Sequence, residues 1–189
     1  VTVKAGKGTP QGGVISPLLA NLYLHYALDL WLERNYPTVS FVRYADDVVI
    51  HCNSKEEAEQ VLERVRERLQ EVKLSIKESK TRIAYCKDYR RRQDHDTVKF
   101  EFLGFSFQPL PMPSKRKTGS HYTGYGGKIS GSSEAKITDA IKKERLLSNT
   151  TIDLALISRA LNPRLRGWIG YYGLYSKRHL HRVLHRLDY

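Results

Sequence analysis

The longest periodic signal in the chain runs from residue 54 to residue 72. Ala58, Val61, Leu62, Val65, Leu69 and Val72 recur at three- and four-residue spacing, with Glu and Arg filling the outer positions. That pattern predicts an amphipathic helix with a solvated charged face. Asn53 and Ser54 can cap it, and Glu57, three residues after Ser54, completes a capping box. The segment LLANLYLHYALDLWLERNY is patterned differently. It is apolar almost all round, which predicts a buried helix. Ser16 reads as its N-cap, Pro17 as its first helical residue, and Asn35 and Pro37 mark its end. Before it, KAGKGTPQGGVISP holds four glycines and two prolines in fourteen residues and reads as loop.

Strand-like runs follow. Residues 39 to 44 and 48 to 51 are rich in β-branched and aromatic residues and are separated only by Ala45, Asp46 and Asp47, a spacing that predicts a hairpin. LSI (74 to 76), RIAYC (82 to 86) and VKFEFLGFSF (98 to 107) read as further strands, the last with a break at Leu103 and Gly104. The charged KDYRRRQDHD reads as an exposed turn whose acids nearly balance Arg90, Arg91 and Arg92. Residues 108 to 128, rich in Pro, Gly and Lys and without apolar periodicity, read as a basic linker or loop. Beyond Ile129 three short helical patterns predict a small bundle. The fold class expected is α+β, with helices covering one face of a sheet over residues 1 to 107 and a helical part over 129 to 189. No internal repeat is visible.

Composition narrows the function. At 189 residues and 40% hydrophobic content, the chain can fill one core or two small ones. No run of about eighteen apolar residues occurs, so neither a transmembrane helix nor a membrane partner is expected. Residues 18 to 32 come nearest, but Asn21, His25 and Asp29 interrupt them. Cys52 and Cys86 are too few for a disulfide framework, and a reducing compartment is expected. There is no initiator Met or signal peptide, and the chain is expected to be part of a longer protein. The net charge of +12 points to an anionic partner. It is unevenly spread: residues 1 to 107 hold 17 Lys/Arg against 15 Asp/Glu, and residues 108 to 189 hold 15 against 5. The second part is the candidate for phosphate contacts and the first for chemistry.

In that second part, Trp168, Tyr171, Tyr172 and Tyr175 form a helical stripe that reads as core packing ahead of base stacking. Gly167, Gly170 and Gly173 would each cost a helix interior about 1 kcal/mol, which suggests close approach by another helix or a nucleic-acid backbone. His181 and His185 have a zinc-compatible spacing. No Cys or Glu completes the set, and a surface or phosphate-facing role is the simpler reading.

The two aspartates in FVRYADDVVI need an explanation, because burying ionised carboxylates in an apolar run costs several kcal/mol. Adjacent strand residues point to opposite faces, but a tight hairpin tip lets both carboxylates project toward one cation. Hard oxygen ligands suit Mg²⁺, which takes one or two carboxylates and leaves room for water and phosphates. A plain Asp-Asp turn is the alternative.

GTPQGGVISPLLANLYL, then YADD, then KFEFLGFSF, then LNPRLRGWIGYY occur in this order over nearly the whole chain. Together they resemble the group II intron-encoded reverse transcriptase/maturase family. The resemblance implies a partial right-hand polymerase palm followed by a helical thumb. It implies an RNA-directed DNA polymerase activity in the full protein with two Mg²⁺ ions, an RNA template and intron RNA, a DNA primer and a deoxynucleoside triphosphate. Asp46 would bind catalytic metal with Asp47 beside it. Tyr44 and Ala45 would line the nucleotide and primer end, and Gln11 and Gly12 would belong to the loop near the templating pair. Lys80 would lie near the triphosphate, or be a surface lysine. Leu103 and Gly104 would form the primer grip, or a kinked core strand. Arg164, Arg166, Lys177, Arg178, Arg182 and Arg186 would face nucleic-acid phosphates. The resemblance also implies a third carboxylate and basic fingers upstream of the PQG loop. This chain is therefore expected to be inactive alone and to self-associate through the uncovered palm surface. A bacterial cytoplasmic or organellar location goes with the family. A non-catalytic RNA-binding maturase module that aids intron folding is the alternative function.

Overall fold

The computed structural model describes residues 12–91, 93–114, 119–143 and 153–185. Gln11, Arg92 and Arg186 lie outside the described residues, as does part of the predicted bundle. The fold mixes helices with antiparallel sheet, and it divides into two compact units, Val1–Ile83 and Ala84–Tyr189.

In the first unit a helical segment comprises α1 (Ser16–Leu24), a π turn (His25–Asp29) and α2 (Leu30–Asn35). The hairpin β1 (Ser40–Tyr44) and β2 (Asp47–His51) follows, then α3 (Lys55–Glu71). The capping box at α3 forms: Glu57 N–H donates to Ser54 Oγ at 3.1 Å, and Glu57 Oε2 accepts from Asn53 N–H at 2.6 Å. The predicted stripe is buried at Val61, Val65 and Leu69, which pack with Leu28 and Leu32. Burial stabilises each such side chain by about 1.5–3 kcal/mol. Phe41, Val48 and Ile50 of the hairpin cover the same cluster. Tyr23 Oη donates to Val72 O at 2.6 Å and Arg68 Nε to Ala27 O at 3.0 Å, tying the first helical segment to α3 at two points.

Three expectations fail here. The first helix is not buried all round, since α1 has no buried residue and Leu18, Leu19, Leu22 and Tyr23 are exposed. Burial in this segment begins at Ala27, so its apolar N-terminal half stays largely exposed. Its N-cap is Ile15, without a side-chain cap bond, rather than Ser16. Nor is LSI a strand. Lys73 takes φ +59° and Leu74 N–H returns to Leu69 O at 2.8 Å, so the chain folds back on α3 and packs Leu74 and Ile76 against the core.

In the second unit, β3 (Phe100–Phe102), β4 (Phe105–Pro113) and β5 (His121–Ile129) form one antiparallel sheet in that order. VKFEFLGFSF is thus a hairpin rather than a single strand. RIAYC makes no regular strand, its Tyr85 N–H bonding to Thr97 O at 2.8 Å. The segment 108 to 128 is mostly paired strand, not a linker. Pro109, Pro111 and Pro113 alternate, so their missing donors fall on one edge of β4; β3 begins only at Phe100, opposite Phe107, and leaves that edge unpaired from Gln108 onward. The glycines of β5 also have a packing reason. A Cβ at Gly124 would lie 2.7 Å from Met112 Sδ, and one at Gly126 would lie 2.6 Å from Met112 Cε.

Helices α4 (Gly131–Lys143) and α5 (Leu154–Leu184) follow. Two of the three predicted helical patterns are joined in α5, which breaks at Ser176 (φ −137°, ψ 38°). Ile129 of β5 shares a core with Ile137, Ile141, Leu180 and Val183, so these helices are built onto the sheet.

Candidate functional site

The β1–β2 hairpin answers the question of its aspartates. Tyr44 and Asp47 are the closing pair, Ala45 and Asp46 form the two-residue turn, and both carboxylates are exposed. Ala45 has φ +53°, the left-handed region that favours glycine, while Asp46 does not take a positive φ. The turn lifts the acids out of the apolar run, so the burial cost anticipated from the sequence is not incurred. Tyr44 is also exposed, at 63%.

Arg43 organises this tip. On β1 it shares the inner face with Phe41, where a guanidinium needs compensation. Asp29 supplies it in a two-pronged pair, Nε to Oδ1 at 2.7 Å and Nη2 to Oδ2 at 2.6 Å, with both side chains largely covered. Nη1 donates to Asn21 Oδ1 and to Ala45 O, each at 2.9 Å. Hydrogen bonding from Arg43 holds the Asp29 carboxyl below the usual carboxylate range; burial opposes this, while the charge of Arg43 and His25, 3.4 Å away, add to it. The Arg43 guanidinium is pushed up in turn. Among the described residues, Asp46 and Asp47 join no ion pair, and the nearest cation along the strand is committed to Asp29. Sequence reading missed Arg43 and noted Asn21 and Asp29 as interruptions of an apolar run. The available signal was an arginine in phase with Phe41 and an acid within an apolar helix.

The other residues of the nucleotide reading are not gathered by a described contact. Gly12 is exposed at φ +87°, and a Cβ added there would meet no atom within 4 Å, so its backbone conformation, not crowding, calls for glycine. Lys80 closes the 3-10 turn Glu78–Lys80 and is exposed. Among the described residues no hydrogen bond or ion pair joins it to the Asp46–Asp47 turn. Nor is there any cluster of three or more His, Cys, Asp or Glu able to hold a metal among them. The two carboxylates offer the hard oxygen donors that Mg²⁺ prefers, as a partial set that water and phosphates would complete.

Leu103 and Gly104 make the β3–β4 turn, with φ +49° and +75°, as a type I′ turn requires at both central positions. Its backbone is held from two sides. Tyr171 Oη donates to Leu103 O at 2.9 Å, and Ser130 N–H donates to Gly104 O at 2.9 Å. Neither bond was legible from the sequence.

Two comparisons with known proteins bear on this arrangement. Residues 2–107 match the family model described as reverse transcriptase (RNA-dependent DNA polymerase), and residues 135–189 match the group II intron, maturase-specific domain. The chain belongs to the group II intron reverse transcriptase/maturase family. Among curated proteins, Protein YkfC of Escherichia coli (strain K12) is 34% identical over 116 residues, which takes in 44% of this chain and 30% of YkfC. The chain therefore spans well under two thirds of that relative.

The maturase-specific part begins within α4 and includes all of α5. Arg164, Arg166, Lys177, Arg178 and Arg182 are all exposed there. Arg164 also lines an open depression with Lys136, Asp139, Ala140 and Lys143 of α4. The two lysines, seven apart on one helix, were overlooked in the sequence. The aromatic stripe is split: Trp168 and Tyr172 pack on the core, while Tyr171 and Tyr175 are more than half exposed beside Phe105. The glycine ridge shows no close approach, since a Cβ at Gly167 or Gly170 would meet nothing within 4 Å and one at Gly173 only ordinary contacts. Among the described residues no helix is long and apolar enough to cross a membrane.

Proposed function

We propose that the chain carries part of the palm and the thumb of an RNA-directed DNA polymerase that also binds intron RNA to assist splicing. In this reading residues 1 to 107 are palm, 129 to 189 are the thumb/maturase domain, and the β4–β5 hairpin lies between them in sequence. The observation that carries the reading is the exposed Asp46–Asp47 pair, held at a hairpin turn with its neighbouring cation engaged elsewhere. An uncompensated pair of carboxylates is a place for a divalent cation. Mg²⁺ bound there would supply electrostatic stabilisation for attack of a primer 3′-hydroxyl on the α-phosphate of a deoxynucleoside triphosphate.

The chain's own residues would position the reactants. Tyr44 and Ala45 would border the nucleotide and primer end, with Gln11, Gly12 and Lys80 on the nucleotide side. The Leu103–Gly104 turn would grip the primer strand through a backbone fixed by Tyr171 and Ser130. Arg164, Arg166, Lys177, Arg178, Arg182 and Arg186 would contact RNA phosphates, with Lys136 and Lys143 extending that surface. A bacterial cytoplasmic or organellar setting follows from this role, and the apolar face of α1 would favour self-association.

Primer extension on an RNA template tests the reading, using this chain complemented in trans by the N-terminal region of a family member. Extension should require Mg²⁺ and vanish with Asp46→Ala, while RNA binding persists. Extension unaffected by that substitution would overturn the catalytic assignment. The basic surface on α4 and α5 favours the second reading, a non-catalytic maturase module. Splicing assistance that survives Asp46→Ala but fails when the α5 arginines are replaced would support it. With roughly six phosphate contacts, RNA affinity should fall about a thousandfold between 50 and 200 mM salt.

A further inference from the structure

We propose that Arg43 is a positioning residue for the Asp46–Asp47 turn, anchored by Asp29 and Asn21, and that it sets the affinity of that turn for a divalent cation. The inference rests on the metal-binding reading of the turn given above. Ala45 takes φ +53°, a left-handed conformation that is unfavourable for a residue with a Cβ. Such a conformation persists only when its surroundings over-determine it. The bond from Arg43 Nη1 to Ala45 O, at 2.9 Å, reaches the peptide that joins Ala45 to Asp46. Fixing that carbonyl fixes the peptide plane, and with it the direction in which the Asp46 side chain leaves the turn.

The remaining donors of Arg43 prevent the guanidinium from turning away. The fork onto Asp29 fixes its plane, and Asn21 accepts through Oδ1 at 2.9 Å and more loosely through its backbone oxygen at 3.5 Å. Asp29 and Asn21 share one guanidinium because of the π turn between them. In an uninterrupted α-helix, residues eight apart sit about 80° from each other around the axis. The π turn His25–Asp29 takes up one extra residue and returns the two side chains to a common face. An energetically poorer helical turn is thus explained by the contact it makes possible. Arg43, unlike a ligand, never touches the cation; it acts through the backbone of Ala45. Lysine at 43 would keep the charge but could not span Asp29, Asn21 and Ala45 O at once.

The test uses the full 189-residue chain with Mn²⁺ alone as the probe, read by paramagnetic broadening of the amide signals of residues 44 to 48. The three-bond amide–α-proton coupling of Ala45 reports its φ independently. In the parent chain Mn²⁺ should broaden the turn, and Asp46→Ala with Asp47→Ala should abolish the effect. Arg43→Lys should retain the fold, shown by unchanged far-ultraviolet dichroism, yet lose the positive φ of Ala45 and weaken Mn²⁺ about tenfold. Asp29→Asn should do the same without altering the carboxylates of the turn. Unchanged Ala45 φ and unchanged Mn²⁺ affinity in both variants would overturn the proposal. Absence of broadening in the parent chain would count against the metal reading instead. In that case the Ala45 φ still decides whether Arg43 positions the turn.

Discussion

Replacing Gly104 with alanine adds one methyl group where the backbone is left-handed and the surroundings are occupied. At φ +75°, a residue with a Cβ costs about 1 kcal/mol relative to glycine. The new Cβ would lie 2.9 Å from Ser133 Oγ and 3.1 Å from the Tyr172 hydroxyl. Ser133 is buried and accepts a hydrogen bond from Ser130 Oγ at 3.0 Å, so moving it disturbs the start of α4. Overpacking of this kind costs about 1–3 kcal/mol, giving a total of about 2–4 kcal/mol. Gly119→Ala is the control, because φ is +81° there and no atom lies within 4 Å, leaving only the conformational cost of about 1 kcal/mol. Urea unfolding should be followed by Trp168 fluorescence in a Trp31→Phe background, since Trp168 packs on the second core and Trp31 on the first. At about 1–3 kcal/mol per molar urea, the Gly104→Ala midpoint should fall by roughly 1–2 M and exceed the control's shift by a clear margin. Equal shifts for the two substitutions would show that the β3–β4 turn is not packed against Ser133 and Tyr172.

Leu103→Asn should stabilise the second unit by up to about 1 kcal/mol, because asparagine tolerates φ +49° better than leucine and the Tyr171 bond uses only the backbone carbonyl; a lower urea midpoint would mean that Leu103 side-chain packing outweighs the backbone strain. Ser176→Ala should raise stability by about 1 kcal/mol, since the buried Ser176 hydroxyl has no hydrogen-bond partner among the described residues; destabilisation would point to a bound water at the helix break. The Asp29 carboxyl titrates below its unfolded value because of Arg43, so its contribution is complete above the ordinary carboxylate pKa and is lost as pH falls through the depressed folded value. The stability gap between the parent chain and Asp29→Asn should accordingly close in acid, and a gap independent of pH would remove the ion pair from the account.

Elements whose information is local were legible from the order of residues alone. The α3 stripe, its capping box and the β1–β2 hairpin follow from side-chain periodicity and turn chemistry, which neighbours in the chain decide. The four motifs likewise pointed to the family without any geometry. What pairs with what was decided only in three dimensions. Residues 108 to 128 have the composition of a loop, yet 108–113 and 121–128 form strands because β4 offers a free edge to its prolines and Met112 and Phe107 fill the space beside the β5 glycines. The LSI segment has strand composition but packs on α3 instead, because burying Leu74 and Ile76 there needs no hydrogen-bonded neighbour. The candidate site divides in the same way. Asp46 and Asp47 were legible as chemistry because two acids in an apolar run demand a reason. Arg43, Asp29 and Asn21 were not, because their partnership joins residues up to twenty-two positions apart through a π turn that local propensity does not announce.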